Sequence, residues 1–336
     1  MAEKDSFDRF VADEAENTQY ESHYLKANSP DGERAFWVKH TLVCAGPTWA
    51  ERIWEVWFLA FERGGRTWVN KAELRWGQME AILDGPCLVG PGVRFDPTRS
   101  VGKLGSIEWE LILGGGVGPI RHLPIEALYR GRNTKVLTPA SCLRFAGEVR
   151  LGDETWPIDS WVGCRGHNWG EDYGQRYGWV ATHVWDDGAQ RSVEGFTGLA
   201  SAPLVGQTLV SRVIAKGADT ASWTRPGTWP AAPGAHAVRF QSSGGGSLSA
   251  EAAAGEFVHL RYRSPSGADV LCRCTKFASV RFEGPSGVST SRCGELEFVD
   301  RALAVPEDAL PPADWKMSED GVFERVFYGS TARSAS

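Results

Sequence analysis

Apolar and polar residues alternate along most of this chain with the two-residue period of a β-strand, and segments with a helical period are few. The first part of the chain predicts long strands that are rich in β-branched or aromatic residues and bounded by glycine, proline or charged turns. These strands are expected at residues 35–44, 52–62, 67–76, 106–113, 142–151, 155–163, 177–186 and 191–199.

Shorter strands with turn signals between them are predicted in the remainder of the chain. They are expected at residues 207–216, 236–242, 247–252, 256–263, 268–275, 278–283 and 293–300. Short strands at regular spacing are typical of a sandwich or a barrel. We therefore predict an all-β protein with fewer than about a sixth of its residues in helix, where about a third is usual.

Two of the predicted strands bear on function. In the strand 52–62 both faces are largely apolar, which favours a core on one side and a cavity or second layer on the other. In the strand that begins at residue 177, five residues share one face and give it three aromatic rings and an imidazole. Such a face suits a large, flat or unsaturated ligand. The five residues are Tyr177, Trp179, Ala181, His183 and Trp185.

Composition and charge narrow the class of protein. The chain has 336 residues, 42% of them hydrophobic, which is enough for two domains or one large β domain. A net charge of −6 without a long basic cluster argues against nucleic acid as a partner. The charged N-terminus does not resemble a secretory signal, and no apolar run reaches the length of a transmembrane segment. Seven scattered cysteines suggest reduced thiols and a cytoplasmic location; peripheral membrane contact and the oligomeric state stay open.

Metal ions and cofactors are not predicted. The seven histidines never adopt HxH or HExxH spacing, and the Cys272-Arg-Cys274 pair lacks a second Cys or His pair nearby. The glycine run 114–118 is followed by Pro119 and no helical pattern, so it does not predict a dinucleotide loop. Cys164 has no evident partner base, so a catalytic thiol is not expected.

The composition of the sequence changes near residue 200. The segment Ser201-Ala-Pro-Leu-Val-Gly206 indicates a joint, and tryptophan becomes rarer after it. We predict a first unit at residues 1–200 that holds the ligand cavity and a smaller second unit at residues 201–328. Residues 329–336 are expected to form a frayed tail.

Residues 163–179 also resemble a known family. Gly163-Cys-Arg-Gly-His-Asn-Trp-Gly170, followed by Tyr177-Gly-Trp179, resembles the hallmark of the carotenoid 1,2-hydratase (hydroxyneurosporene synthase) family, and residues 36–42 and 54–57 resemble its early strands. The resemblance covers about residues 20–300 in layout. It implies two lipocalin-like β-barrels in tandem and relatives that hydrate, cyclise or rearrange hydrophobic polyenes. The chain departs from the hydratase pattern at Arg165-Gly166, where that pattern has His-Asp, so the reaction stays open.

The residue types near this motif predict a chemistry. Hydration of an alkene needs a proton donor, a stabilised cation and a base. His167 could transfer a proton near neutral pH, Trp169 could face the cation, and burial of Glu194 would raise its pKa and make it the better acid. The predicted catalytic residues are His167, Trp169, Glu194 and Asp172. The predicted substrate-binding residues are Asn168, Tyr177, Trp179, His183, Trp185, Glu55 and Trp57.

Structural interpretations compete with these roles. The tryptophans suit a hydrophobic core as well as a ligand platform. Glu55 is either functional or paired with a residue such as Lys71, and Lys39 and His40 are expected to face outward or to pair.

Three functions stay open from the sequence. The leading hypothesis is an enzyme that acts without a redox cofactor on a hydrophobic, unsaturated small molecule such as a polyene or isoprenoid, by hydration, cyclisation or a lyase-type reaction. The rivals are a non-catalytic carrier of a lipid or pigment and an interaction scaffold. A catalytic acid in the cavity would separate the enzyme from the carrier, and a cavity filled with side chains would favour the scaffold.

Overall fold

The structure, a computed structural model, describes residues 8–11, 20–44, 52–75, 80–82, 87–129, 134–202, 206–226, 229, 235–312, 315 and 322–328. Across these residues the chain forms 22 β-strands and two short 3-10 turns, Glu126–Tyr129 and Ala254–Glu256, and no α-helix. The strands form two curled, antiparallel sheets that correspond to two lipocalin-like barrels in tandem. The all-β prediction is therefore confirmed. No helix in the described part of the chain is long and apolar enough to cross a membrane.

The first sheet has 13 strands, in the order β22-β4-β3-β2-β1-β12-β11-β9-β8-β7-β6-β5, with β10 paired to β11. Its strands are β1 (Tyr20–Asn28), β2 (Arg34–Cys44), β3 (Arg52–Glu62), β4 (Arg66–Arg75), β5 (Glu80–Ile82), β6 (Cys87–Gly90), β7 (Val93–Phe95), β8 (Arg99–Leu104), β9 (Ile107–Val117), β10 (Ile120–Arg121), β11 (Lys135–Leu151), β12 (Glu154–Gly170) and β22 (Val322–Tyr328).

The second sheet has nine strands, in the order β16-β15-β14-β13-β21-β20-β18-β17, with β19 paired to β20. Its strands are β13 (Arg176–Thr182), β14 (Arg191–Ala202), β15 (Gly206–Gly217), β16 (Ala221–Pro226), β17 (Ala237–Gln241), β18 (Ser247–Glu251), β19 (Val258–Arg263), β20 (Asp269–Gly284) and β21 (Gly287–Asp300).

The chain passes from the first sheet to the second between Gly170 and Arg176, and β22 then returns to pair with β4. The predicted joint near residue 200 falls at the end of β14, which pairs with β13 and β15 in the second sheet. It is therefore not the point at which the chain changes sheets. The division into folding units at 1–200 and 201–328 stays a prediction, and residues 329–336 lie outside the described residues.

Strand β3 shows why the two sheets stack. Trp54, Val56 and Phe58 on one face join the core of the first barrel, whereas Trp57 and Leu59 on the other face join a cluster between the two sheets. The two apolar faces predicted for residues 52–62 are thus a core and a second layer. Strand β1 is buried along its whole length for the same reason.

Two glycines bring β1 and β12 close together. A Cβ atom on Gly166 would lie 1.9 Å from the Tyr24 ring, and one on Gly163 would lie 1.8 Å from the carbonyl oxygen of Lys26. Gly163 and Gly166 belong to the motif identified in the sequence, and their structural role is to allow close packing of the two strands. They let β1, which carries several residues of the site described below, lie tightly against β12.

The substitution Gly163→Ala is expected to destabilise the fold, because the new methyl group would meet backbone that cannot move aside. Overpacking of this kind costs about 1–3 kcal/mol and sometimes more. Denaturant unfolding followed by tryptophan fluorescence measures the loss. Gly114→Ala on β9 is the matched control, because no heavy atom lies within 4 Å of its Cβ position. Equal midpoints for the two variants would contradict the packing role.

Candidate functional site

A narrow cleft lies between the two sheets, and both sheets contribute to its wall. It holds about 760 Å³ of empty space, solvent at its mouth included. The sequence placed the cavity mainly in the first barrel, whereas this cleft lies where β1 and β2 of the first sheet face β13, β14 and β21 of the second. Its walls combine aromatic rings with polar and charged side chains. Lining residues include Tyr20, Tyr24, Lys26, Trp37, Lys39, Asn168, Tyr173, Tyr177, Trp179, Phe196 and Glu297.

Lys26 is a buried cation whose charge is compensated by carboxylates and aromatic rings. Its Nζ atom lies 4.4 Å from the ring centroid of Trp37 and 4.2 Å from that of Trp179. The same atom lies 3.2 Å from a carboxylate oxygen of Glu295 and 3.4 Å from one of Glu297. Burial alone would lower the pKa of Lys26, but the two carboxylates raise it well above its usual value. This ammonium therefore ties the first sheet to β21 of the second.

Lys39 is a buried cation of a different kind. Its Nζ atom lies 3.6 Å from the ring centroid of Tyr262, and it has no ion pair or hydrogen bond among the described residues. Burial lowers the pKa of Lys39 to about 8, although the charge of Glu297 opposes the shift. An ammonium that lines a cleft without a counter-ion is suited to a ligand oxygen.

The predictions for Lys39 and His40 were therefore wrong. Both side chains are buried, and neither ring nitrogen of His40 has a hydrogen-bond partner in the described part of the structure.

Tyr177 and Glu297 form a hydrogen-bonded pair across β13 and β21. The Tyr177 hydroxyl donates to Glu297 Oε1 at 2.7 Å. Burial would raise the pKa of Glu297, but the charge of Lys26 and the bond from Tyr177 lower it, so this group is a carboxylate. Burial and the charge of Glu297 raise the pKa of Tyr177 well above its usual value. The pair thus presents a fixed phenol and a fixed negative charge.

Several buried polar atoms of the cleft residues lack a hydrogen-bond partner among the described residues. They are Trp37 Nε1, Asn168 Oδ1, Tyr173 Oη, Arg176 Nε and Nη2, and Trp179 Nε1. Buried polar groups are usually satisfied, so this set calls for a ligand that carries polar atoms as well as apolar surface.

Three predicted binding residues, Asn168, Tyr177 and Trp179, line the cleft. Because side chains alternate along β12, the neighbours of Asn168 in the motif point away from the cleft and into the first barrel. There the Nε2 atom of His167 lies 2.8 Å from Glu21 Oε1, and its ring stacks on Trp169 with centroids 4.3 Å apart. The structure therefore separates His167 and Trp169 from the cleft by the thickness of the sheet.

Glu194 and Asp172 also lie outside the cleft lining. Glu194 accepts a hydrogen bond from Thr138 at 2.8 Å and lies 3.0 Å from His122 Nε2. Burial alone would raise the pKa of Glu194 as predicted, but the hydrogen bond and charge of His122 lower it, so the expected raised pKa is wrong. Asp172 accepts hydrogen bonds from Ser264 and Arg301 and anchors the connection between the sheets.

The prediction that alternate residues from 177 to 185 share one strand face is correct only in part. Strand β13 ends at Thr182, and Trp185 packs in the core of the second barrel, where its Nε1 donates to the Arg191 carbonyl oxygen at 2.8 Å. Its assignment to the ligand face is wrong. His183 is buried, and neither of its ring nitrogens has a partner among the described residues.

Glu55 and Trp57 make contacts within the fold and do not line the cleft. Glu55 Oε1 lies 2.6 Å from Lys71 Nζ, and Glu55 Oε2 accepts a hydrogen bond from Trp57 Nε1 at 3.1 Å. The Trp57 ring packs edge-on against Tyr262 in the cluster between the sheets. The predicted pairing of Glu55 with Lys71 is confirmed.

The sequence missed most of the charged groups of the cleft. Lys26 lies in β1, which was not among the predicted strands. Glu295 and Glu297 sit at alternate positions of an otherwise apolar predicted strand, and this was the available signal, because carboxylates on a buried face need partners.

No protein-family model matches the chain. The chain is 25% identical over 233 residues to the uncharacterized protein Rv0493c of Mycobacterium tuberculosis, an alignment that covers 64% of this chain and 67% of that protein. A solved structure from Nitrosomonas europaea with the provisional name AttH matches with a TM-score of 0.53 at 14% identity, over 84% of this chain and 93% of that one. CghA bound to Sch210972 matches with a TM-score of 0.55 at 11% identity, over 89% and 93%. These structures share the fold.

Trp179 and Trp185 give a test of the cleft. A conjugated tetraene fatty acid should quench tryptophan emission saturably as it binds. Trp179→Leu is expected to weaken that binding about tenfold, or about 1.4 kcal/mol, because it removes an aromatic wall.

Trp185→Leu serves as the control for this test. It should leave the affinity unchanged and lower the unfolding midpoint, because Trp185 belongs to the core. Equal affinity of both variants for the tetraene would remove Trp179 from the binding site.

Proposed function

We propose that the protein is an enzyme that binds a hydrophobic, unsaturated small molecule bearing a carbonyl or enolate oxygen in this cleft and promotes its cyclisation, or a related hydratase- or lyase-type addition or elimination. The observation that carries the proposal is Lys39, an ammonium that lines the cleft without a counter-ion among the described residues. The aromatic walls would hold the unsaturated body of such a molecule, and the ammonium would bind its oxygen.

The apolar part of the cleft supports a ligand of this class. Trp37, Trp179 and Phe196 line the cleft and would contact a planar or conjugated chain, and such surface contributes about 25 cal/mol for each Å² removed from water. CghA, which shares the fold, binds the small molecule Sch210972. That likeness supports small-molecule binding by this architecture.

The charges of the cleft favour activation through an oxygen over protonation of an isolated alkene. Formation of a tertiary cation needs a strong acid, whereas Glu297 is a carboxylate and the pKa of Tyr177 lies well above its usual value. Lys39 can instead stabilise negative charge that develops on a carbonyl oxygen conjugated to the reacting double bond.

The cleft would also accelerate a cyclisation if it held the substrate in one folded conformation. Bringing the two reacting ends together can supply several kcal/mol of the barrier reduction, up to about 7–11 in well-oriented systems. We therefore favour cyclisation or conjugate addition over hydration of a simple polyene such as a carotenoid.

Lys39→Met tests the proposed role of the ammonium. With a tetraene fatty acid as the probe, affinity is expected to fall about tenfold or more, because a charge-assisted hydrogen bond contributes about 1.5–3 kcal/mol. Binding by the unaltered protein should weaken as pH rises through about 8, where Lys39 loses its proton while the probe stays anionic. This pH dependence should be absent from Lys39→Met. Fluorescence titration between pH 6.5 and 9.5 measures both effects.

Turnover is tested with substrates found by mass spectrometry of the apolar molecules that co-purify with the protein. Lys39→Met is expected to lower kcat by about a hundredfold or more, as loss of an oxyanion donor does in other enzymes. Tyr177→Phe should lower it less. Near-native kcat in Lys39→Met would place the reaction elsewhere, and tight binding without turnover of any such compound would support a carrier.

A further inference from the structure

A second polar cluster lies inside the first barrel, on the other face of β1 and β12 from the cleft. It consists of Glu21 and His23 on β1 and His167 on β12. Each of these side chains is at most 1% exposed. His23 and His167 are directly opposite each other in the ladder, and Glu21 lies two residues before His23 on the same face.

The donor atoms of this cluster converge. His23 Nε2 lies 3.0 Å and His167 Nε2 lies 2.8 Å from the same carboxylate oxygen, Glu21 Oε1. One donor atom from each of the three residues lies within 4.8 Å of the others. Two ligands of a tetrahedral Zn²⁺ site, each about 2.0–2.1 Å from the ion, are roughly 3.3 Å apart. An ion would require these separations to open by about half an ångström and the two imidazole rings, which are stacked with centroids 4.1 Å apart, to turn toward it.

A third histidine, His40, lies beside the cluster in the same sheet. It lies on β2 directly opposite His23, so that three histidines of three neighbouring strands form one row across the sheet. His23 Nδ1 and both ring nitrogens of His40 are buried without a hydrogen-bond partner in the described part of the chain. Because His23 contacts Glu21 through Nε2, these nitrogens are not the converging donor atoms, but they show that the polar groups around the cluster are incompletely satisfied within the described residues.

We propose that Glu21, His23 and His167 form a binding site for a divalent transition-metal ion, with Zn²⁺ as the best match. Two imidazoles and one carboxylate are a donor set that Zn²⁺ and its neighbours in the first transition row prefer. Phe10, Phe95 and Trp169 surround the cluster with rings and would limit the access of water. The site lies apart from the cleft and does not depend on the proposed reaction.

Metal binding by the full chain tests this site. The protein, stripped with a chelator and free of any affinity tag, is equilibrated with Zn²⁺ alone and its metal content is measured by plasma mass spectrometry. One ion per chain is expected. Glu21→Gln and His167→Gln should each weaken binding at least about tenfold. His183→Gln is the matched control, a buried histidine outside the cluster, and should bind like the unaltered protein.

A measurement on the unaltered protein keeps the test decisive if the variants do not fold. X-ray absorption at the zinc edge should show imidazole nitrogen and carboxylate oxygen around the ion. Sulfur ligands would place the ion on cysteines such as Cys272 and Cys274 and overturn the assignment. Substoichiometric binding of Zn²⁺, or equal binding by the folded cluster variants and the control, would show a hydrogen-bonded cluster that holds no ion.

Discussion

The burial of both faces of β1 is the constraint on which the rest of this structure depends. Each of its nine residues is buried, because one face belongs to the first barrel and the other faces the second sheet. Charged side chains on such a strand cannot reach bulk water and must find partners inside the protein. Glu21 finds two histidines on one face, and Lys26 finds two carboxylates and the rings of the cleft on the other. Both candidate sites thus arise from one strand.

The contact between the sheets is more than apolar packing. Lys26 pairs with Glu295 and Glu297, and Lys276 Nζ lies 2.8 Å from the same Glu295 carboxylate oxygen that faces Lys26. Removal of one member of a buried ion pair typically costs about 3–5 kcal/mol, because the remaining charge is left uncompensated. Such pairing holds β21 of the second sheet against β1 of the first and thereby helps to set the distance between the walls of the cleft.

Strand periodicity was sufficient to predict the all-β class and the two apolar faces of β3, because these depend on local alternation. The order of strands in the sheets was not accessible in this way. The return of β22 to β4 joins residues that are about 250 positions apart, and no local pattern encodes that choice of partner. The change of sheet between Gly170 and Arg176 lies in a short connection directly after the glycine-rich motif, whereas the change in composition near residue 200 falls where β14 and β15 pair inside the second sheet.

For the site, adjacency in sequence was misleading because a strand sends neighbouring side chains to opposite faces. His167, Asn168 and Trp169 were predicted as one site, and the sheet places Asn168 in the cleft and the other two in the first barrel. The same alternation brings together Glu21 and His167, which are 146 positions apart. Metal-ligand spacing within one segment could not reveal that grouping, although Glu21-Ser-His23 is itself a pair on one strand face.

The two lysines of the cleft show how the surroundings divide one residue type between two roles. Lys26 and Lys39 both lie among aromatic rings, and both are nearly inaccessible to solvent. Lys26 has two carboxylates, so its charge is satisfied within the fold and its pKa is raised. Lys39 packs on aromatic rings without an ion pair among the described residues, so its burial lowers its pKa although the charge of Glu297 opposes the shift. A fold that needed only a filled interior would place an apolar residue at position 39. The cost of an unpaired cation there accords with the proposed role of Lys39 in binding a ligand oxygen.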